Sequence, residues 1–171
     1  MIYRWYLMKN ADIKIHKLDY QEPFQVKQLI DLLDAYARDP MGGGEPLADE
    51  VKARLATELA KQTNMFSLVV YVDNIPAGLC NCVWGYSTFA AKSLVNIHDL
   101  AVLTKYRGLG LSQQLLQAVE QQVKQAGGVK ITLEVLANNE IAQNAYRRFG
   151  FAPYELAEGA GRAEFWQYKL K

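Results

Sequence analysis

The sequence predicts an α/β fold in which a central mixed, mostly antiparallel sheet of about seven strands is flanked by about four helices. Segments typical of strands and segments with apolar residues every three or four positions follow one another along the chain. A strand, helix and strand in the second half are followed by two more strand-like segments, an order typical of a mixed sheet with helices on both faces. The 171 residues, half of them apolar, suffice for one sizeable core. We therefore expect a single domain spanning residues 1–171.

The predicted elements are justified by their periodicity. The strands alternate in polarity or are continuously apolar, and they cover 13–18, 65–72, 77–86, 93–103, 129–135, 151–157 and 163–170. The helices each carry one apolar stripe, and they cover 24–38, 49–61, 108–126 and 139–149. The first helix ends at Asp39-Pro40, because a residue before proline avoids the α region. The loop 41–46 contains three glycines, which indicates either a flexible connector or a segment that moves around a substrate.

Composition limits the function classes. The net charge is +1 and the charges are mixed, so nothing indicates a nucleic-acid groove or an anionic membrane surface. No apolar run is long enough to span a bilayer, and the first ten residues do not form a signal peptide, so we expect a cytoplasmic protein. Cys80 and Cys82 are expected to be buried reduced thiols, and no metal site is expected.

The stretch 97–112 carries the main functional signal. An aliphatic strand ends in a turn with Gly108 and Gly110, and the turn opens directly into a helix. The first N–H groups of a helix have no partner inside it and lie at the positive end of its dipole, so they can hold a phosphate. The spacing excludes G-x-G-x-x-G and the P-loop pattern, and therefore the two common nucleotide sites.

The pattern that does occur is Arg-x-x-Gly-x-Ser over residues 107–112. It resembles the acetyl-CoA signature of the GNAT superfamily of N-acetyltransferases, usually written [QR]-x-x-G-x-[GA], with Ser112 at the final small position. A second stretch, 133–151, resembles the family's other acetyl-CoA motif. Asn139, Ala142, Tyr146 and the pair Gly150-Phe151 all stand in register with it.

The resemblance implies acetyl-CoA as the cofactor and assigns residues to it. The thioester arm would lie along Leu100, Ala101 and Val102, where a main-chain N–H near Leu100 would stabilise the oxyanion. Asn139 and Ala142 would contact the cofactor, and Asn139 would also cap a helix. Tyr146 matches the family's general acid, although its spacing is equally typical of a buried aromatic. The pyrophosphate would be held by Arg107, Gly108, Leu109, Gly110, Leu111, Ser112 and Gln113.

The general base is left open by the sequence. An alkylammonium group must lose a proton before its nitrogen can attack, and His98 is the leading candidate to take it. Asp99 and Glu134 are the alternatives. Residues 98–102 and 106–108 resemble the spermidine/spermine and thialysine acetyltransferases, but His98 stands where those enzymes have a glutamate, which argues against polyamine specificity.

Three functions remain open at this point. The first is acetylation of a small cationic amine, which is favoured by the acidic residues Asp34, Asp39, Glu45, Asp49 and Glu50. The second is acetylation of a protein N-terminus or lysine, and the third is a non-catalytic acyl-CoA-binding module. The expected partner is a small-molecule amine, without nucleic acid or membrane, and many relatives are dimers, so a homodimer is expected.

Overall fold

The computed structural model describes residues 11–155, 161 and 163–170, which contain one five-stranded sheet and four helices. A short 3-10 turn lies at Thr104–Tyr106. The strands are β1 (Ile13–Lys17), β2 (Met65–Val72), β3 (Ile75–Ser87), β4 (Lys92–Val102) and β5 (Ile131–Leu133). The helices are α1 (Pro23–Ala37), α2 (Asp49–Leu59), α3 (Leu111–Gln125) and α4 (Glu140–Phe149).

The sheet has the strand order β1-β2-β3-β4-β5. The first four strands are antiparallel neighbours, whereas β5 runs parallel to β4, with Val95 opposite Ile131. The parallel pair needs a crossover, which α3 supplies. The predicted mixed, mostly antiparallel sheet with four helices is thereby confirmed.

Its internal contacts divide the chain into two units, and the boundary between them in the sequence lies between Leu133 and Glu134. The first unit holds the sheet and α1 to α3, and the second holds α4. The expectation of a single domain over residues 1–171 stays a prediction.

The core of the first unit forms where α1 and α2 cover one face of the sheet. Leu29 of α1 and Leu79 of β3 are fully buried, and Val69 of β2 lies with them. The other face packs against α3, which buries Leu111, Leu115, Leu116, Val119 and Val123. Apolar burial on both faces fixes which side chains of each strand point towards α1.

The prediction of about seven strands is wrong for the described residues. Of the segment predicted as a strand over 151–157, only Glu155 forms an isolated bridge, and 156–157 lie outside the described residues. Residues 163–170 form no strand, and all their side chains are exposed. One backbone hydrogen bond, from Ala163 N–H to Tyr154 O at 3.3 Å, joins the two segments. An alternating pattern gives a strand only where a neighbouring ladder and a buried face support it.

Asp39 organises the loop that follows α1. Its main-chain carbonyl accepts hydrogen bonds from the N–H groups of Gly42 and Gly44, and its Oδ1 accepts one from Met41 N–H. Its Oδ2 accepts a hydrogen bond of 2.6 Å from Arg107 Nη2. The three-glycine loop is therefore held by the main-chain carbonyl and the carboxylate of Asp39 together. Gly42 is required there, because a Cβ at this position would collide with the carbonyl of Tyr36.

The ion pair should make part of the stability depend on pH. The guanidinium of Arg107 and the N–H of Met41 hold the pKa of the Asp39 carboxyl below its ordinary value. Its contribution is therefore present above the unfolded carboxyl pKa, near ~3.9, and is lost as the pH falls through the lower folded value. We expect Asp39→Asn to lower the free energy of unfolding at neutral pH by ~1 kcal/mol, and the difference to close in acid.

Urea unfolding of both proteins from neutral pH down to about pH 2 measures this difference. Asp31→Asn, which removes the exposed pair with Lys27, is the matched control and should give a smaller loss. A gap between wild type and Asp39→Asn that stays constant down to the lowest pH would contradict the account.

Candidate active site

The candidate site begins at an irregularity in the pairing of β3 with β4. Asn81 is opposite Asp99 and Cys82 is opposite Ile97, so His98 is an extra residue on β4. Such a bulge bends the strand and re-aims its side chains. His98 is exposed and Ile97 is buried, whereas Asp99 is partly buried.

A small cavity of about 40 Å³ lies next to the last turn of α1. Leu32 and Tyr36 of α1 and Ala101 at the end of β4 line it, together with Asp39 and Arg107 from the two connected loops. Asp99 lies two residues before Ala101, so the two side chains share one face of β4. The C-terminal half of β4, α1 and the glycine loop thus converge on one place.

Tyr36 is held in its neutral form at this cavity. Burial raises the pKa of the Tyr36 phenol, and the negative charges of Asp99 and Asp39 raise it further. A protonated phenol can donate a hydrogen bond at neutral pH. Nothing in the sequence singles out this residue beyond its position on a predicted helix.

Asp99 is held by side chains from neighbouring strands. Its Oδ2 accepts a hydrogen bond of 2.9 Å from the side-chain amide of Asn81. Asn81 Oδ1 in turn accepts one of 2.6 Å from Ser67 Oγ on β2, and Ser67 Oγ lies 2.8 Å from the hydroxyl of Tyr20. Sequence reasoning missed these three residues. The sequence signal that could have identified two of them is a polar residue inside an otherwise apolar strand: Ser67 in β2 and Asn81 in β3.

The turn between β4 and α3 has the geometry of an anion cradle. Gly108 and Gly110 both adopt positive φ, at 80° and 74°. The helix begins at Leu111, and the N–H groups of Gln113 and Gln114 donate to the carbonyl of Gly110, so the N–H groups at the very start of the helix are the ones suited to an anion. A Cβ at Gly110 would meet nothing within 4 Å, so the space in front of the turn is open. These residues fit a phosphate bound by main-chain N–H groups.

The side chain of Arg107 forms hydrogen bonds with β4 and with the loop after α1. Its Nε donates to the carbonyl of Val102 at 3.0 Å, and its Nη2 donates to Asp39. The structure therefore places Arg107 between the end of β4 and the loop after α1. The Arg107 guanidinium therefore connects the turn to the glycine loop.

The second unit holds the remaining predicted residues. Asn139 caps α4, since its Oδ1 accepts a hydrogen bond of 3.1 Å from Ala142 N–H. Tyr146 is half-buried on the same helix, and its ring packs at 5.9 Å against Phe151. Glu134 is exposed. The structure therefore contains both the helix cap at Asn139 and the packed aromatic ring at Tyr146.

The part of the chain that the structure describes contains neither a metal-binding cluster nor a membrane-spanning helix. Within residues 11–155, 161 and 163–170, no three His, Cys, Asp or Glu side chains are grouped to hold a metal ion. No helix in that part of the chain is long and apolar enough to cross a membrane. Cys80 and Cys82 are both buried, with their sulfur atoms 3.7 Å apart.

Comparison with known proteins gives the same family. The model of the acetyltransferase (GNAT) family matches residues 26–151. An uncharacterised N-acetyltransferase, YycN of Bacillus subtilis, is 27% identical over 121 residues, which are 60% of this chain and 77% of that protein. A putative ribosomal-protein bS18-alanine N-acetyltransferase of the same organism is 29% identical over 56% of this chain and 60% of its own length.

Solved structures share the fold over nearly the whole chain. An aminoglycoside acetyltransferase from an uncultured soil metagenomic sample, solved with trehalose, has a TM-score of 0.73 at 22% identity and covers 93% of this chain and 97% of its own. The aminoglycoside N-acetyltransferase AAC(6')-Iy, solved with CoA, has a TM-score of 0.69 at 17% identity and covers 94% and 97%. The family match over most of the chain confirms the resemblance of the two motifs: the chain belongs to the acetyltransferase (GNAT) family and is an acetyl-CoA-dependent N-acetyltransferase.

Proposed function

We propose that the enzyme acetylates the primary amine of a small molecule by direct attack in a ternary complex. The observation that carries this proposal is the placement of Asp99. Its carboxylate is oriented by Asn81 and lies on the face of β4 that carries Ala101, which lines the cavity beside α1. A fixed carboxylate next to a cavity of this kind is suited to hold an amine and to accept its proton.

The cofactor would be bound by main-chain groups of the first unit. The N–H groups of residues 108–113 would hold the pyrophosphate, and Leu100, Ala101 and Val102 would pair with the pantetheine arm. Acetyl-CoA, when bound, supplies the acetyl group as a thioester. A main-chain N–H near Leu100 would stabilise the negative charge that develops on the carbonyl oxygen. Asn139 and Ala142 would contact the cofactor arm, and Tyr146 would give a proton to the leaving sulfur.

Among the three candidate bases, the contacts favour Asp99. His98 is exposed at the bulge, and Glu134 is exposed in the second unit. The side-chain amide of Asn81 fixes the carboxylate of Asp99, and the charge of Asp99 acts on Tyr36 at the cavity. We therefore assign to Asp99 the proton that the nitrogen loses as the C–N bond forms.

Three acidic side chains near the glycine loop are paired with basic side chains, so they are less available to bind a cationic acceptor than the sequence implies. Asp34 pairs with Arg38 and lies near Lys52, Asp49 pairs with Lys52, and Asp39 pairs with Arg107. The general acidity of this region therefore gives little support for a cationic acceptor. Support for a small amine comes instead from structural neighbours described as aminoglycoside acetyltransferases.

A protein N-terminus is the second candidate acceptor. Two relatives favour it: the putative bS18-alanine N-acetyltransferase, and N-alpha-acetyltransferase 30 of Schizosaccharomyces pombe, which is 39% identical over 56 residues. That second match covers 33% of this chain and 37% of the relative. An acceptor of this class would need room for several residues beside the glycine loop.

An acceptor panel decides between these candidates. Thiol release from acetyl-CoA is measured with aminoglycosides, polyamines, amino acids and peptides with free N-termini, and acetyl-CoA binding is measured in parallel by calorimetry. We expect turnover with an aminoglycoside-like or other small amine. Turnover confined to the peptides would replace the proposal by the second candidate, and binding without any turnover would indicate a non-catalytic acyl-CoA-binding module.

Replacing Tyr146 tests the proposed general acid. We expect Tyr146→Phe to lower turnover by about 10-fold to 100-fold and to leave acetyl-CoA affinity unchanged, because the phenol acts only on the leaving sulfur. Tyr154→Phe, which changes an exposed tyrosine of the same unit, is the control. Equal turnover of the two variants would remove Tyr146 from the mechanism.

Replacing Gly110 tests the proposed phosphate cradle. We expect Gly110→Asp to weaken acetyl-CoA binding by about 10-fold or more, because the carboxylate would occupy the open space and repel the phosphates. Gly127→Asp is the matched control, since Gly127 also has positive φ and open surroundings but lies after the other end of α3. The two variants share the backbone strain, so equal affinities would show that the phosphates bind elsewhere.

A further inference from the structure

A line of hydrogen-bonded side chains crosses the sheet from the turn before α1 to Asp99. It starts at Tyr20 and continues through Ser67 of β2 and Asn81 of β3 to Asp99 of β4. Ser67 is fully buried and Asn81 is 5% exposed, so their hydrogen bonds are shielded from bulk water. We refer to Tyr20, Ser67 and Asn81 as the polar line.

All the hydrogen bonds in the polar line are donated in the same direction, towards Asp99. Ser67 has a single hydroxyl proton, and it donates that proton to Asn81 Oδ1. The Tyr20 hydroxyl must therefore be the donor in its contact with Ser67 Oγ. Asn81 then donates its amide proton to Asp99 Oδ2. Every hydrogen bond thus places a donor towards the carboxylate, and each bond polarises the next.

The polar line is not suited to carry protons. An amide passes no proton between its oxygen and its nitrogen at neutral pH, so the connection through Asn81 cannot relay one. What it can do is hold the carboxylate in one rotamer and place positive ends of dipoles against its charge. Burial of the Tyr20 phenol raises its pKa, so this donor stays protonated.

Packing alone gives no reason for these residues. Leu79 and Val69 lie on the same strands and are fully buried in apolar contact with α1. Buried polar side chains in such a core cost stability unless all their hydrogen bonds are made, and an apolar set of the same volume would avoid that cost. The bonds of the polar line converge on a partly buried carboxylate at the cavity face.

From this arrangement we infer that Tyr20, Ser67 and Asn81 are positioning residues for Asp99, and that they hold its carboxylate in the orientation that accepts the amine's proton. The inference rests on the proposed role of Asp99. It assigns a part in the reaction to Tyr20, which lies outside the sheet and contacts β2, two strands away from β4 in the sheet order.

The test compares two tyrosines. Tyr20→Phe removes the first donor of the polar line, whereas Tyr71→Phe removes a hydroxyl that donates at 2.7 Å to Gln28 of α1 and has no part in the line. Burial raises the pKa of both phenols, so the two changes are chemically matched. Steady-state rates are measured with acetyl-CoA and sisomicin, which is bound in a second structure of the soil-metagenome aminoglycoside acetyltransferase, or with the amine of the panel that turns over faster.

We expect Tyr20→Phe to lower kcat by about threefold to tenfold and to leave acetyl-CoA affinity unchanged, whereas Tyr71→Phe keeps the wild-type kcat. Ser67→Ala should lower kcat in the same way, and Ser67→Thr, which keeps the hydroxyl, should restore most of it. Thermal melting of each variant separates these effects from loss of the folded protein.

A double-mutant cycle with Asp99→Asn shows whether the effect passes through Asp99. Asp99→Asn alone should lower kcat by about 100-fold or more. Adding Tyr20→Phe to it should lower kcat no further. Equal losses in the two backgrounds would overturn the inference, as would a wild-type kcat for Tyr20→Phe. Wild-type kcat for Asp99→Asn would instead overturn the proposed role of Asp99, and no turnover of the wild type with any amine would overturn the proposed function itself.

Discussion

The register of β4 against β3 is the constraint on which the site depends. Up to Ile97 the two strands pair regularly, and after the extra residue His98 they pair again with Asp99 opposite Asn81. Because side chains alternate between the faces of a strand, one extra residue decides which of them point towards α1. With this register, Asp99 and Ala101 face the helix that carries Tyr36, and Asn81 stands beside Asp99. Without the bulge, the carboxylate would be on the side of the sheet that packs against α3.

The two sites proposed in the first unit would work by different physical means. The turn at Gly108 and Gly110 would bind an anion through the main chain, since positive φ and the absence of a Cβ let an anion approach its N–H groups. The site near α1 would work through side chains that are held by one another. A main-chain site depends little on neighbouring residues, whereas the orientation of Asp99 depends on contacts that extend across the sheet.

The sequence predicted the features that arise from local patterns. Strand and helix periodicity located β1 to β4 and all four helices, and the glycine spacing identified the turn before α3. It failed at 163–170, where alternation of apolar residues occurs without a neighbouring strand to complete a ladder. It also led with His98 as the base, because the bulge and the contact of Asn81 with Asp99 arise from pairing between strands far apart in the chain. Tyr20 and Asp99 are separated by most of the first unit in sequence, so no local pattern could have connected them.

Arg107 has a consequence for the design of variants with altered specificity. Its guanidinium binds the carbonyl that ends β4 and the carboxylate of Asp39, the residue around which the glycine loop folds. The loop is therefore not an independent module that can be exchanged between homologous enzymes. A grafted loop would keep its shape only if it brought an acid in the position of Asp39, or if the turn that follows β4 were exchanged along with it. Libraries aimed at new acceptors are better built at positions 43–47, with Asp39, Gly42 and Arg107 left as they are.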